Sequence, residues 1–170
     1  MDEKGDQGDR PNDEIRLRPA NEADVTAILA VTRAAYARYS GRLEPPSSVF
    51  RETGDAIMHY LERGGVIVAV SGKEIVGAVR YEPRDDHVYL GRLAVLPAWQ
   101  KRGISRRLVA AVEEWTMLLG LDEVQLGVRP ELRENRDLYL HLGYEEDGLV
   151  PFTSDPGRRY LRMKKQLRGR

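Results

Sequence analysis

The sequence contains no cysteine. That removes a disulfide framework, a thiolate nucleophile and cysteine-based zinc ligation together, and leaves no mark of an oxidising compartment. It also lacks an excess of charge: 27 Lys and Arg stand against 27 Asp and Glu, which argues against a chain that earns its affinity by neutralising nucleic-acid phosphates. The longest apolar runs, such as Val66 to Val70, reach about a quarter of the roughly 20 residues a bilayer span requires. No membrane association is expected. The only histidines, His59, His87 and His141, are too scattered for a metal-ligand spacing, so no metal is expected. Neither G-x-x-x-x-G-K-[ST] nor G-x-G-x-x-G occurs, which argues against P-loop and dinucleotide-binding chemistry.

What is present is 170 residues with 41% apolar side chains, enough for one domain with a sizeable core. The neutral average hides asymmetry. Residues 1–14 carry six acids against Lys4 and Arg10, a composition expected of a disordered acidic tail, with none of the basic and apolar character of a secretory leader. A cytoplasmic location is the expectation. The remaining residues, 15–168, are expected to form one domain. Arg158 to Arg170 holds seven basic residues and no acid. Within it Leu161 and Met163 alternate with Arg162 and Lys164, which predicts a half-buried edge strand with its charges in water. A basic patch for an anionic ligand or RNA is the competing reading, although the overall charge argues against nucleic acid as a partner.

Between the ends the pattern mixes α and β. Ile15 and Leu17 alternate with charged neighbours in a short strand ended by Pro19, and apolar residues at helical spacing follow from about Asn21 to Tyr39, with Asn21 as N-cap. A break at Gly41 to Ser47 precedes a helix from about Ser48 to Arg63. Val66–Val70 and Ile75–Tyr81 read as a hairpin about Ser71-Gly72-Lys73, and a third strand covers His87 to Leu96. Ile104, Leu108, Val112, Trp115 and Leu119 place one apolar stripe, with Trp115 in the core, on a helix closed by Gly120. A strand at Val124–Val128, a short helix at Glu134–Leu142 and strands at Tyr144–Val150 and the C-terminus complete the order βααβββαβαββ.

The passage from Leu93 to Ser105 runs from a strand through a basic, glycine-containing loop into a helix. A helix N-terminus offers unpaired N–H groups and partial positive charge, and glycine removes the side chain that would keep an oxygen away. Lys101, Arg102, Arg106 and Arg107 add charge around Gly103, and Pro97 stops the strand ladder, so backbone groups are left for an extended ligand. The alternative is a plain strand-turn-helix connection with a solvated basic face.

These residues resemble the GCN5-related N-acetyltransferase (GNAT) family. Its [QR]-x-x-G-x-[GA] loop is matched by Gln100-Lys101-Arg102-Gly103-Ile104-Ser105, with the small Ser105 departing from the last position, and Leu93-Ala94-Val95-Leu96-Pro97 precedes it as in the family. A second similarity is Asn135, Tyr139 and the following Leu142-Gly143-Tyr144. The resemblance implies an α/β (α+β) fold with a mixed central sheet of about seven strands flanked by about four helices. It also implies acetyl transfer from acetyl-CoA, as cosubstrate, to an amine acceptor. By the same resemblance, Gln100, Lys101, Arg102, Gly103, Ile104 and Ser105 would cradle the pyrophosphate. Leu93, Ala94 and Val95 would pair with the pantetheine arm, Asn135 would touch the coenzyme, and Tyr139 would be the general acid for the departing thiolate. Relatives often carry a glutamate on the strand where this chain has Arg92, which cannot accept a proton at neutral pH. Glu82, Tyr89 and Glu44 are candidate bases through water, and loss of the amine proton to solvent is the alternative. Arg92 would then bind a substrate carboxylate or form a structural ion pair. Relatives commonly form homodimers, which an exposed late strand would permit. A non-catalytic acyl-CoA binding or sensing module is the competing reading of the same motifs.

Overall fold

Val66–Val70 shows no polar alternation because both faces of its strand are covered. In the computed structural model, which describes residues 14–168, Val66, Val68 and Val70 face one apolar layer while Ile67 and Ala69 face another. Continuous burial on two sides is what turns a period-two pattern into an apolar run. The acidic tail expected over residues 1–14 lies, apart from Glu14, outside the described residues.

Seven strands form one sheet: β1 (Ile15–Pro19), β2 (Gly65–Ser71), β3 (Glu74–Pro83), β4 (Val88–Val95), β5 (Glu123–Val128), β6 (Glu145–Pro151) and β7 (Arg159–Gln166), in the order β1-β2-β3-β4-β5-β7-β6. Every neighbouring pair is antiparallel except β4 and β5. Helices α1 (Val25–Tyr36) and α2 (Gly54–Arg63) cover one face with Ile28, Val31, Ala35 and Ile57. Helix α3 (Ile104–Leu118) covers the other with Ile104, Leu108, Val109 and Val112, beside Tyr139 of α4 (Arg133–His141). Contact between α3 and the sheet is close at Gly77, where an added Cβ would sit 3.2 Å from both the Ala94 carbonyl oxygen and a Leu108 methyl. Among the described residues no helix is long and apolar enough to cross a membrane.

The element order follows the sequence reading, with three corrections. The C-terminal strand β7 is not an edge: it inserts between β5 and β6, and its charges are taken up there, Arg162 by Asp147 at 2.7 Å and Lys165 by Glu113 at 3.0 Å. The helix expected from Ser48 splits into a 3-10 turn at Ser48–Arg51 and α2, with Glu52 and the α2 N-cap Thr53 extended between them. The buried stripe of α3 rotates at its end from Trp115 and Leu119 to Thr116, whose hydroxyl donates to the Val112 carbonyl at 2.8 Å. Trp115 is instead 38% exposed and stacks on Tyr81.

Candidate active site

The site begins where the sheet comes apart. β4 pairs with β5 only at Val88↔Val124 and Tyr89↔Gln125, so towards Val95 the two strands diverge. On its other side β4 stays paired with β3, except at a bulge: Ala78 faces Ala94 but Arg80 faces Gly91, leaving Arg92 and Leu93 together opposite Val79. Arg92 sits there with φ 51°, an uncommon conformation for a side chain of this size. Beyond the bulge the Leu96 N–H donates to the Val76 carbonyl at 2.8 Å. Alternation then turns the N–H and C=O of Val95 away from β3 and into the opening. The Val95 carbonyl accepts a bond of 3.1 Å from the Gln100 side chain, while its N–H faces the cleft.

Past Pro97 the chain turns into the N-terminus of α3. Lys101 and Gly103 both adopt positive φ, 62° and 79°, which turns the chain sharply into the helix. Gly103 is the N-cap of α3 with no side-chain cap and no acid in the first turn, so the first N–H groups of the helix have no capping partner. A Cβ at Gly103 would meet nothing within 4 Å; the space above it is open. This space belongs to a cavity of about 430 Å³. Leu93, Ala94, Val95, Gln100, Lys101, Gly103, Ile104, Ser105, Asn135 and Tyr139 all line it, and Arg102 does not. The guanidinium of Arg102 instead lies 4.7 Å over the Trp99 ring, and Arg107 donates to the Ile15 carbonyl at 2.9 Å. Of the four basic residues around Gly103, Lys101 and Arg106 therefore face the cavity, joined by Arg38 from the 3-10 turn that follows α1.

A second cavity of about 910 Å³ opens on the other side of the split. The two share four lining residues: Tyr36, Leu93, Asn135 and Tyr139. Asn135 and Tyr139 are four apart on α4 and so lie on one face. The Asn135 side chain accepts from the Tyr39 hydroxyl at 3.1 Å, and that hydroxyl accepts from Arg38 at 2.6 Å. Tyr139 is 8% exposed, with its ring edge-on to Tyr144. Burial, with smaller contributions from Tyr36, Tyr89 and Tyr39, pushes its phenol far above the usual tyrosine range. A phenol in that state keeps its proton at every ordinary pH.

None of the expected bases stands at this junction. Glu82 is paired with Arg84 at 3.0 Å and lines neither cavity, and Glu44 lines a separate one beside Pro45 and Arg129. Tyr89 lines the second cavity, but burial pushes its phenol up to about 12, which leaves almost no phenolate at neutral pH. Arg92 is held in an ion pair: its Nε donates to Glu52 at 2.8 Å and one terminal nitrogen donates to the Ser48 hydroxyl at 2.5 Å. Glu52 also receives Arg80 through two bonds of 3.2 and 2.9 Å. Burial pushes the Glu52 carboxyl up, but the bonds and charges of Arg80 and Arg92 outweigh it and hold the group below the usual carboxylate range. Sequence reasoning missed Glu52, Tyr36 and Arg38. The available signal was a charged residue, Arg80, inside an otherwise apolar strand, which demands a buried carboxylate elsewhere. Among the described residues no group of three or more His, Asp or Glu comes together to hold a metal.

Comparison with known proteins bears on this geometry. A model of a protein family, described as the acetyltransferase (GNAT) family, matches residues 31–144. An aminoglycoside N(6')-acetyltransferase type 1 of Salmonella typhimurium is 34% identical over 65 residues, which is 38% of this chain and 45% of that protein. An uncharacterised N-acetyltransferase of Bacillus subtilis, YvbK, is 31% identical over 91 residues, 53% of this chain and 59% of that one. The chain thus matches about half the length of these curated relatives. Among solved structures, the PaiA N-acetyltransferase of Thermoplasma acidophilum in complex with coenzyme A superposes with a TM-score of 0.75 at 17% identity, covering 90% of this chain and 99% of that one. At that identity it shows a shared fold.

Proposed function

The chain belongs to the acetyltransferase (GNAT) family, and from that premise we propose that it transfers the acetyl group of acetyl-CoA to an amine. The observation that carries the reading is the junction, where a cleft with uncapped helix N–H groups meets a second cavity at the buried Tyr139. In this assignment the backbone from Lys101 to Ser105 receives the pyrophosphate, with charge supplied by Lys101, Arg106 and Arg38. Gln100 acts through its bond to the Val95 carbonyl, holding the loop against the strand end. The outward edge of Leu93 to Val95, with the Val95 N–H turned into the opening, suits the amide-bearing arm of the coenzyme. Asn135, fixed by Tyr39, stands beside it.

The reaction needs a neutral amine, a donor for the carbonyl oxygen and a proton for the leaving sulfur. The amine nitrogen bonds to the acetyl carbon as the carbon–sulfur bond breaks. Sulfur takes the Tyr139 phenol proton, the proton of the new amide nitrogen leaves to water, and the phenol is reprotonated from solvent. Among the described residues the carboxylates lining either cavity are Asp85 and Asp86, exposed in the turn before β4, so the attacking amine enters already neutral or loses its proton through water.

Calorimetry with acetyl-CoA and a coenzyme A release assay over a panel of amines test this. Tyr139→Phe is expected to lower kcat by about 10²-fold, the low end for a lost general acid, with affinity for acetyl-CoA unchanged. Because the Tyr139 phenol lies above the usual value of about 10, the wild-type rate should rise with pH as the amine deprotonates and show no descending limb in the neutral range. A descending limb there removes Tyr139 as the acid. Absence of acetyl-CoA binding removes the whole assignment, and binding without transfer to any amine leaves a coenzyme-binding module.

A further inference from the structure

We propose that the acceptor is an amine that also carries a carboxylate, and that Arg92 receives it. This rests on the acetyl-transfer reading and deepens it by naming the acceptor's chemistry. Two guanidinium groups, Arg80 and Arg92, share one carboxylate, Glu52, which leaves one positive charge without a counter-charge among the described residues. The imbalance is not spread through water. Arg80 and Glu52 side chains are 1% and 11% exposed, and Arg92, at 26%, is the one of these three that lines the second cavity, adjacent in sequence to Leu93 of the junction.

Arg92 is also oriented in advance. The bulge sets its backbone, Glu52 takes Nε and Ser48 takes Nη2, while Nη1 has no protein partner among the described residues. A guanidinium fixed on one edge presents its remaining N–H groups in a plane that matches a carboxylate. The other groups facing this cavity do not neutralise it. Asp85 and Asp86 lie exposed in the turn before β4, with Asp86 bonded to His87 at 2.6 Å. Arg84, Arg129 and Arg162 add positive side chains to the wall, each already near a carboxylate, Glu82, Glu131 and Asp147 respectively. An acceptor with several ammonium groups meets like charge at Arg92; one with a carboxylate supplies the missing anion.

The test compares matched pairs in the coenzyme A release assay at saturating acetyl-CoA: α- and ω-amino acids against their primary amides, with dipeptides beginning in Asp or Glu as a separate arm and kanamycin as a polycationic probe. In each productive pair the carboxylate is expected to raise kcat/KM by about 10- to 100-fold, the size of one charge-assisted hydrogen bond. The arm that reacts better tells free amino acids from acidic peptides. Arg92→Gln should erase the difference between acid and amide, and Arg92→Lys should restore part of it, with acetyl-CoA affinity unchanged in both. Thermal-shift titration of the protein–coenzyme A complex with the same acids and amides gives a readout independent of turnover. Equal response to acid and amide in both measurements, or preference for kanamycin, overturns the proposal while leaving acetyl transfer standing. Failure of acetyl-CoA binding overturns both.

Discussion

Arg80 is 1% exposed in the middle of β3, beyond the reach of water, and its Nε is buried with no hydrogen-bond partner. Its charge is balanced by Glu52 or by nothing. Removing one partner of a buried pair costs about 3–5 kcal/mol, because the remaining charge is left desolvated. Glu52→Ala is therefore expected to lose about that much stability in urea unfolding at neutral pH, where a replacement at an exposed pair such as Arg158–Asp155 costs under about 1 kcal/mol. The pH sign follows from the carboxyl being held below its usual range in the folded state. Its contribution is fully present above the unfolded value of about 4.3 and is lost as pH falls through the lower folded value, so wild type and variant converge only in acid. A loss of under 1 kcal/mol (about the surface value) would count against the burial argument. Arg80 could be read in the sequence as an anomaly inside an apolar strand, but its partner lies 28 residues away in a connecting segment, and no local pattern points there.

At the scale of elements, the start of α3 is the most specialised piece. Gly103 holds φ 79° at its N-cap, with open space where a side chain would go. For Gly103→Val the backbone conformation costs about 1–2 kcal/mol, and the added side chain stands over the helix N–H groups. Affinity for acetyl-CoA, measured by calorimetry, should then fall by more than about tenfold while the thermal midpoint moves modestly; a large drop in midpoint with affinity retained would make the glycine a folding residue only. This element was legible because its signals are local: Pro97, one glycine and a helix stripe within a few residues. So were all eleven strands and helices and their order. What escaped was set by tertiary neighbours. Nothing in the alternation of Leu161 and Met163 says that β7 slots between β5 and β6. The α3 stripe ends on Thr116 and not on Trp115 because Thr116, polar in the sequence, hides its hydroxyl on a carbonyl one turn back. Two of the four loop cations turned out to hold Trp99 and Ile15, a choice that composition cannot reveal.

For the whole molecule, the separation of β4 from β5 divides a sheet otherwise paired throughout into a closed part and an open one. Hydrogen exchange should report this directly: acetyl-CoA is expected to slow exchange at residues 93–106, including Val95, and leave the buried β2 amides at their already slow rate. Uniform slowing over the sheet, or none at 93–106, would place the ligand elsewhere. The Glu52 hub carries a further consequence, for the order in which the protein assembles. Its bonds close loops of 28 residues to Arg80 and 40 to Arg92, whereas Gln100 reaches Val95 across five. Contacts distant in sequence come at a larger loop entropy and depend on the sheet being in place. The loop that receives the phosphates can therefore organise within one strand-turn-helix unit, while the Arg92 wall is completed only when the Ser48–Glu52 segment, β3 and β4 have met, so the part of the site that chooses a substrate forms after the part that takes the phosphates.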